Sequence, residues 1–256
     1  MRRIIVLAVL LMGATLLSAQ DAVFIVNSAK NRIKSDTMST RSRMVITAKN
    51  GRTTEMLIDQ YSKDGPNGAR TMIVFQSPAN QAGTRFLSMD TAGGGQEQWI
   101  FVPRLGSRRI AASKNDDSDE SFVGTDFSYD DISSMNRDIS LDTHTLLREE
   151  TLNGKPCYVI QSVPKGAYQY SKTITWIDKT DFLIYKRELY NRRGELVKIM
   201  EMSNYKDVQG RFTPMQTKMS TVAAGTSTTI YLEIVKYDDP IPEAVFTKTY
   251  LETGRR

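Results

Sequence analysis

Apolar and polar residues alternate with a period of two over most of this chain, and that period predicts strands. Met44, Ile46 and Ala48 alternate with Arg43, Val45 and Thr47. The pattern resumes over 53–61 after Asn50-Gly51, a strong hairpin signal. Strands are next expected at 70–76, 84–90, 97–102 and 108–112, and a polar, acidic run at 114–121 reads as a solvated loop. Beyond it, strands are expected at 145–152, 157–163, 171–178, 183–190, 196–205, 211–222 and 227–237. Asn153-Gly154, Lys165-Gly166, Arg193-Gly194, Gln209-Gly210 and Ala224-Gly225 supply the turn chemistry between them. Three short helices complete the reading. At 21–35, Ala22, Val23, Val26, Ala29 and Ile33 form one apolar stripe behind Asp21 as N-cap. At 126–135, Ser128 and Asp131 are spaced as a capping box. The last helix opens at Ile241-Pro242-Glu243-Ala244. Eleven to thirteen closely spaced strands without a linker predict an antiparallel meander in one domain, 20–256.

Strands in the first half carry apolar residues on both alternation sets. Met72 and Val74 stand against Ile73 and Phe75, and Trp99 and Phe101 against Ile100 and Val102. A sheet with one wet face alternates cleanly. Two apolar faces imply a sheet covered on both sides, or one curled around an apolar cavity. The later strands are more polar on one side, as at Lys172, Lys186, Glu188, Lys198 and Lys218.

The N-terminus changes the setting. Arg2 and Arg3 precede an apolar run from Ile4 to Leu17, and Leu17-Ser18-Ala19 offers a small residue for cleavage. The run is shorter than the ~20 residues a membrane-spanning helix needs, and no cysteine follows it for acylation. Residues 1–19 therefore read as a cleavable signal peptide, and the product as a soluble periplasmic protein starting near Gln20. The competing reading is an uncleaved anchor. The formal charge of +5 includes two leader arginines, and the rest of the basic residues are interspersed with acidic ones. Nucleic acid is a poor partner for such a surface, whereas a weak attraction to anionic lipid headgroups remains.

Reactive chemistry is sparse. The one histidine, His144, lies in a polar stretch and reads as a surface residue, and the one cysteine, Cys157, as a small buried hydrophobe in a strand. Neither a Gly-x-Ser-x-Gly elbow nor a Walker A loop occurs, and one His with one Cys cannot furnish a tetrahedral zinc site. Asp116, Asp117, Asp119 and Glu120 do not match a calcium loop. Asp126, Asp130 and Asp131 are explained by capping and helix-dipole stabilisation. Gly93-Gly94-Gly95 reads as a flexible tip. Arg104, Arg108 and Arg109 flank a turn at Leu105-Gly106, suited to a lipid phosphate, to a partner's acidic patch, or to an aggregation-resistant edge. No catalytic residue, metal or cofactor is expected.

Ser77-Pro78, Gly83-Thr84-Arg85-Phe86-Leu87, Trp99 through Ile110, and Phe122 through Asp131 follow one another with set spacing. In this order they resemble the outer-membrane lipoprotein-sorting protein family, the LolA/LolB-like superfamily, in its uncharacterised bacterial branch. The resemblance implies a mainly β protein: a strongly curved antiparallel sheet, an incomplete half-open barrel, with helices packed on the concave face. It implies a non-enzymatic carrier of lipid or lipoprotein acyl chains, with transient membrane-surface contact and an outer-membrane acceptor. The alternative is a periplasmic adaptor for a transporter of the resistance-nodulation-division type. Candidate cavity residues are Phe75, Phe86, Trp99, Phe101, Phe122, Phe127 and Tyr129, each of which could equally serve as a plain core aromatic. Arg104, Arg108 and Arg109 are the candidate headgroup or partner contacts. Cleavage after Ala19 predicts that N-terminal sequencing of the exported protein starts at Gln20; a start at Met1 would favour the anchor.

Overall fold

The computed structural model describes residues 21–65, 68–92, 95–110 and 120–255. The leader at 1–19, Gly93-Gly94, Ala111-Ala112 and the acidic run up to Asp119 lie outside the described residues. Six strands come first: β1 (Thr37–Thr47), β2 (Thr53–Gly65), β3 (Gly68–Ser77), β4 (Arg85–Asp90), β5 (Gln96–Val102) and β6 (Gly106–Ile110). After a helical interlude follow β7 (Asp142–Leu152), β8 (Lys155–Pro164), β9 (Lys172–Asp178), β10 (Ile184–Tyr190), β11 (Leu196–Val208), β12 (Arg211–Thr221) and β13 (Thr226–Tyr237). The helices are α1 (21–31), α2 (Tyr129–Ser133) and α3 (Lys248–Thr253), with 3-10 turns at Phe122–Gly124, Ser134–Asn136, Ile139–Leu141 and Glu243–Phe246.

The thirteen strands run in the order β6-β5-β4-β3-β2-β1-β13-β12-β11-β10-β9-β8-β7, so β6 and β7 end an unclosed sheet. This is the mainly antiparallel, open architecture expected from the sequence. Two hairpins show why. Asn153 and Gly154 (φ 49° and 78°), and Gln209 and Gly210 (φ 53° and 79°), each occupy the left-handed region at both central positions of a two-residue turn. That conformation matches the right-handed twist of the flanking strands.

The described residues form two compact units, one from those up to Arg32 with Asp138–Val197 and the other from Ile33–Arg137 with those from Lys198 onward. In the first, α1 lays Ala22, Ile25 and Ala29 on Ile160 and Ile177, flanked by Leu146, Tyr158, Phe182 and Ile184. The buried stripe is thus turned from the expected one: Val23 and Ile33 are exposed, and Ile25 takes their place. The opposite sheet face buries Cys157, Val159 and Trp176. Burial raises the pKa of the Cys157 thiol, which leaves it a poor nucleophile.

His144 departs from the surface position expected of it. It is buried, because β7–β8 register sets it opposite Ser162. Its Nε2 lies 2.9 Å from the Ile139 carbonyl and its Nδ1 2.8 Å from Ser162 Oγ. A carbonyl only accepts, so Nε2–H donates to it, and in the neutral ring Nδ1 accepts the serine hydroxyl. Both nitrogens are engaged inside the strand pair.

In the second unit, the C-terminal segment covers one face of β3–β5. Ile241, Val245, Phe246, Tyr250 and Leu251 pack on Met72 and Leu87. Ion pairs hold its start, with Glu243 lying 2.5 Å from Lys63 Nζ and 2.6 Å from Arg70 Nη1. Its end is capped by Arg85, which donates from Nε to the Leu251 carbonyl at 2.5 Å and from Nη2 to that of Glu252 at 2.9 Å. These carbonyls belong to the last turn of α3 and lack intrahelical partners. Gly254 (φ 65°) closes the helix in the left-handed conformation that glycine adopts without strain.

The hydrogen bonds of Arg70 and Lys63 hold the Glu243 carboxyl at about 2, well below its usual 4.5. A depressed carboxyl pKa contributes stability that is complete above the unfolded value and disappears as pH falls through the folded one. The difference in melting temperature between wild type and Glu243→Gln should therefore be constant at neutral pH and shrink between pH 4.5 and about 2. An acid-independent difference would show that the ion pairs do not fasten this segment.

Candidate ligand-binding faces

Register decides which side chains share a face. Phe75 stands opposite Ile58, Ile73 opposite Phe86, and Phe86 opposite Ile100, so these line one face of the second unit's strands. Met72 pairs with Leu87, Leu87 with Trp99, and Arg85 with Phe101, on the other face. The seven aromatic candidates are accordingly not brought together.

On the first face, Phe86 meets Phe122 and Tyr129 at ring-centroid distances of 5.3 and 5.5 Å. Phe122 also meets Phe75 at 5.7 Å and Tyr129 at 5.3 Å. The tilted and edge-on geometries are those that aromatic quadrupoles favour. All four rings and Phe127 are buried. Burial raises the Tyr129 pKa, with Glu120 adding to the rise and Arg108 opposing it.

Phe122, Phe127 and Tyr129 reach this face from one segment that works as a plug. Phe122 N donates to the Phe127 carbonyl at 2.7 Å, and a bridge joins Ser121 to Ser128. Between them Val123 has φ 51° and ψ 40°, a strained conformation for a β-branched residue. Such strain costs about 1–2 kcal/mol and is offset here by burying the flanking aromatics. Ser128 and Asp131 form the expected capping box, at 2.8 and 3.0 Å.

Asp126 does not cap that helix, which begins three residues later at Tyr129. Its carboxylate accepts the hydroxyls of Thr221 at 2.6 Å, Thr228 at 2.8 Å and Thr226, clasping the plug to the β12–β13 hairpin. Its own N–H donates to Thr228 Oγ1 at 2.9 Å. Asp131, which is buried, adds an ion pair with the partly buried Lys198 of β11 at 2.6 Å. Asp130 accepts from Gln98 Nε2 at 3.2 Å. The sequence signal for these anchors was the acidic spacing of Phe122–Asp131; their threonine and lysine partners lie ~70–100 residues on.

The same face continues as a row of methionines. Met44 opposes Met56, and Met200 opposes Met219. Met202 and Met215 share their alternation sets and are half-buried, as are Ile230 and Leu232. Methionine is unbranched and polarizable, so such a wall can fill irregular gaps.

On the second face, Trp99 and Phe101 are partly buried beside the C-terminal segment. Cations cover their rings: Lys248 Nζ lies 3.7 Å and the Arg109 guanidinium 5.8 Å from the Trp99 centroid, and Arg85 lies 4.7 Å from that of Phe101. Of the three candidate arginines, Arg108 pairs with Glu120 and Arg109 with Glu97, each at 3.1 Å. Arg104 is exposed at the β5–β6 turn. Among the described residues no helix is long and apolar enough to cross a membrane.

Residues 67–253 match the model of a protein family described as "Uncharacterized protein". No curated protein matches the chain. Among solved structures, a DUF1329 family protein from Desulfovibrio piger is similar, with a TM-score of 0.85 and 24% identity over 92% of this chain and 99% of that one. A putative outer membrane lipoprotein-sorting protein domain from Vibrio parahaemolyticus gives 0.82 and 25% over 91% and 99%. A LolA superfamily protein from Nitrosomonas europaea gives 0.72 and 22% over the same shares, 91% and 99%. The expected LolA-like fold is thus the fold of this chain.

Removing the shared ring of the aromatic cluster should be costly. Phe122→Ala is expected to lose about 3–5 kcal/mol of unfolding free energy. Asp126→Ala should lose about 2–3 kcal/mol as its threonine clasp opens. Chemical denaturation measures both, and a loss below ~1 kcal/mol in each would show that the plug is not fastened as described.

Proposed function

We propose that this chain, which belongs to the uncharacterised-protein family matched over residues 67–253 and has the LolA-superfamily fold, is a non-enzymatic periplasmic carrier of lipid or lipoprotein acyl chains. One observation carries the reading: an apolar, methionine-rich sheet face lies under a separate plug, and polar contacts at Asp126 and Asp131 fasten that plug. An acyl chain in water costs about 0.8 kcal/mol for each exposed CH₂. A carrier has to shield that chain and then release it, with no covalent step. Polar fasteners suit a cover that opens, because their bonds are exchangeable with water, whereas the aromatic rings return it to the same seat.

Met44, Met56, Met200, Met202, Met215 and Met219, with Phe75 and Phe86, form the wall assigned to the acyl chain. Phe122, Phe127 and Tyr129 belong to the cover. Trp99 and Phe101, held under cations on the other face, have a structural role in this reading. The lipoprotein-sorting designation of the Vibrio parahaemolyticus relative is consistent with such a cargo.

The test is extraction and mass spectrometry of protein purified natively from an envelope fraction. Co-purifying acylated molecules are expected at near-stoichiometric amounts. Replacing Met202 and Met215, both half-buried, by Asp should lower that occupancy several-fold while thermal unfolding stays cooperative. Lipid-free protein that also fails to quench or shift a fluorescent fatty acid would sink the carrier reading.

A further inference from the structure

The β5–β6 turn holds the most exposed large apolar side chain among the described residues, Leu105, at 84% of its full accessibility. A single exposed leucine is ordinary on a protein surface. This one is presented by a turn built against local preference. Leu105 N donates to the Val102 carbonyl at 3.0 Å, closing a four-residue turn with Pro103 and Arg104 at its centre. Arg104 has φ 69°, so the turn is of the kind whose third position favours glycine. Arginine there carries strain that glycine would relieve, and strained backbone of this sort concentrates at functional sites.

The surroundings point the same way. Arg104 has no acidic partner among the described residues, whereas Arg108 and Arg109 further along the hairpin are paired. The β3–β4 loop stands beside the turn, with Gly83 so near Pro103 that a β-carbon would meet its ring at 3.4 Å. That loop, Ser77 to Thr84, contains no charged residue, and Ala79 and Asn80 at its tip are exposed. Among the described residues, one end of these strands therefore presents an apolar tip, a cation without an acidic partner and a neutral loop.

We infer that the Pro103–Gly106 tip docks the protein on an anionic lipid surface, Leu105 entering the acyl boundary and Arg104 meeting a headgroup phosphate. A bilayer interface accepts both groups at once, since its phosphates lie directly above apolar chains. An acidic protein surface would satisfy the arginine and leave the leucine in water. The inference rests on the carrier reading for its purpose, because a carrier has to reach a membrane to load or release its cargo. Its physical basis is independent of which cargo that is.

The test is co-sedimentation of the chain from Gln20 onward with two kinds of vesicle, phosphatidylethanolamine containing phosphatidylglycerol, and phosphatidylcholine alone. Wild type should bind the anionic vesicles and bind more weakly as salt rises. Leu105→Asp should lower partitioning about ten- to a hundredfold. Arg104→Glu should lower it roughly fivefold or more on anionic vesicles only. Arg104→Gly should bind less well yet melt at a higher temperature, a combination that simple loss of folding cannot produce. Leu105 is exposed, so Leu105→Asp should melt like wild type; Leu105→Ser serves the same purpose if it does not.

Wild-type protein that ignores anionic vesicles overturns the inference. So does vesicle binding that is lost in Arg104→Glu but unchanged in Leu105→Asp, which would show headgroup attraction without entry of the tip into the acyl boundary. Mass spectrometry of lipid retained by Leu105→Asp separates the two proposals. Retained lipid without vesicle binding leaves the carrier reading intact and confirms the tip, whereas vesicle binding by a protein that never holds lipid removes the carrier reading alone.

Discussion

Strands β3, β4 and β5 bear large apolar side chains on both faces, and each face has to be kept from water by something other than the sheet. Much of the second unit follows from that requirement. One face receives the plug that inserts Phe122, Phe127 and Tyr129. The other receives the C-terminal segment, with Val245, Phe246 and Leu251 against Met72 and Leu87. Neither cover is long enough to be a stable helix in isolation, since isolated helices of a few residues are marginal in water. Each is therefore fastened at chosen points by polar groups, and the two sets of fasteners differ in kind.

The C-terminal segment is held by surface ion pairs at Glu243 and by an arginine capping α3. Exposed pairs of this sort contribute little each and are screened by salt, so the buried apolar contacts carry most of its attachment. The plug is fastened by two buried carboxylates, Asp126 with three threonine hydroxyls and Asp131 with Lys198. Removing Lys198 would leave the buried Asp131 carboxylate without its counter-charge, a larger loss than breaking an exposed pair. The plug thus has one well-defined seat. Strain at Val123 belongs to the same arrangement, because only a segment fixed on both sides can hold a β-branched residue there.

Three positions had more than one locally permitted environment. His144 stands among Asp142, Thr143 and Thr145 and so reads as solvent-facing, yet pairing of β7 with β8 buries it against Ser162 and the Ile139 carbonyl. Asp126 reads as helix capping because carboxylates favour helix starts, yet the helix begins later and the carboxylate answers threonines on another hairpin. Val23 and Ile33 fit an apolar helical stripe as well as Ile25 does, and only the position of the sheet selected Ile25. In each case local chemistry allowed two answers, and a partner distant in sequence chose between them.

Period-two alternation, glycine-bearing turns and the capping box at Ser128 and Asp131 are local, so the strands, their antiparallel succession and the short helices were legible in the chain without its partners. The double apolar face was legible too, because alternation within one strand needs no partner. Which aromatics meet was not. Phe86 and Trp99 lie on adjacent strands, and a one-residue change of register would exchange the face on which either stands. The tertiary structure fixed that register. It sent Phe75 and Phe86 to the plug and Trp99 and Phe101 to the C-terminal segment, and it left Leu105 in solvent at the β5–β6 turn.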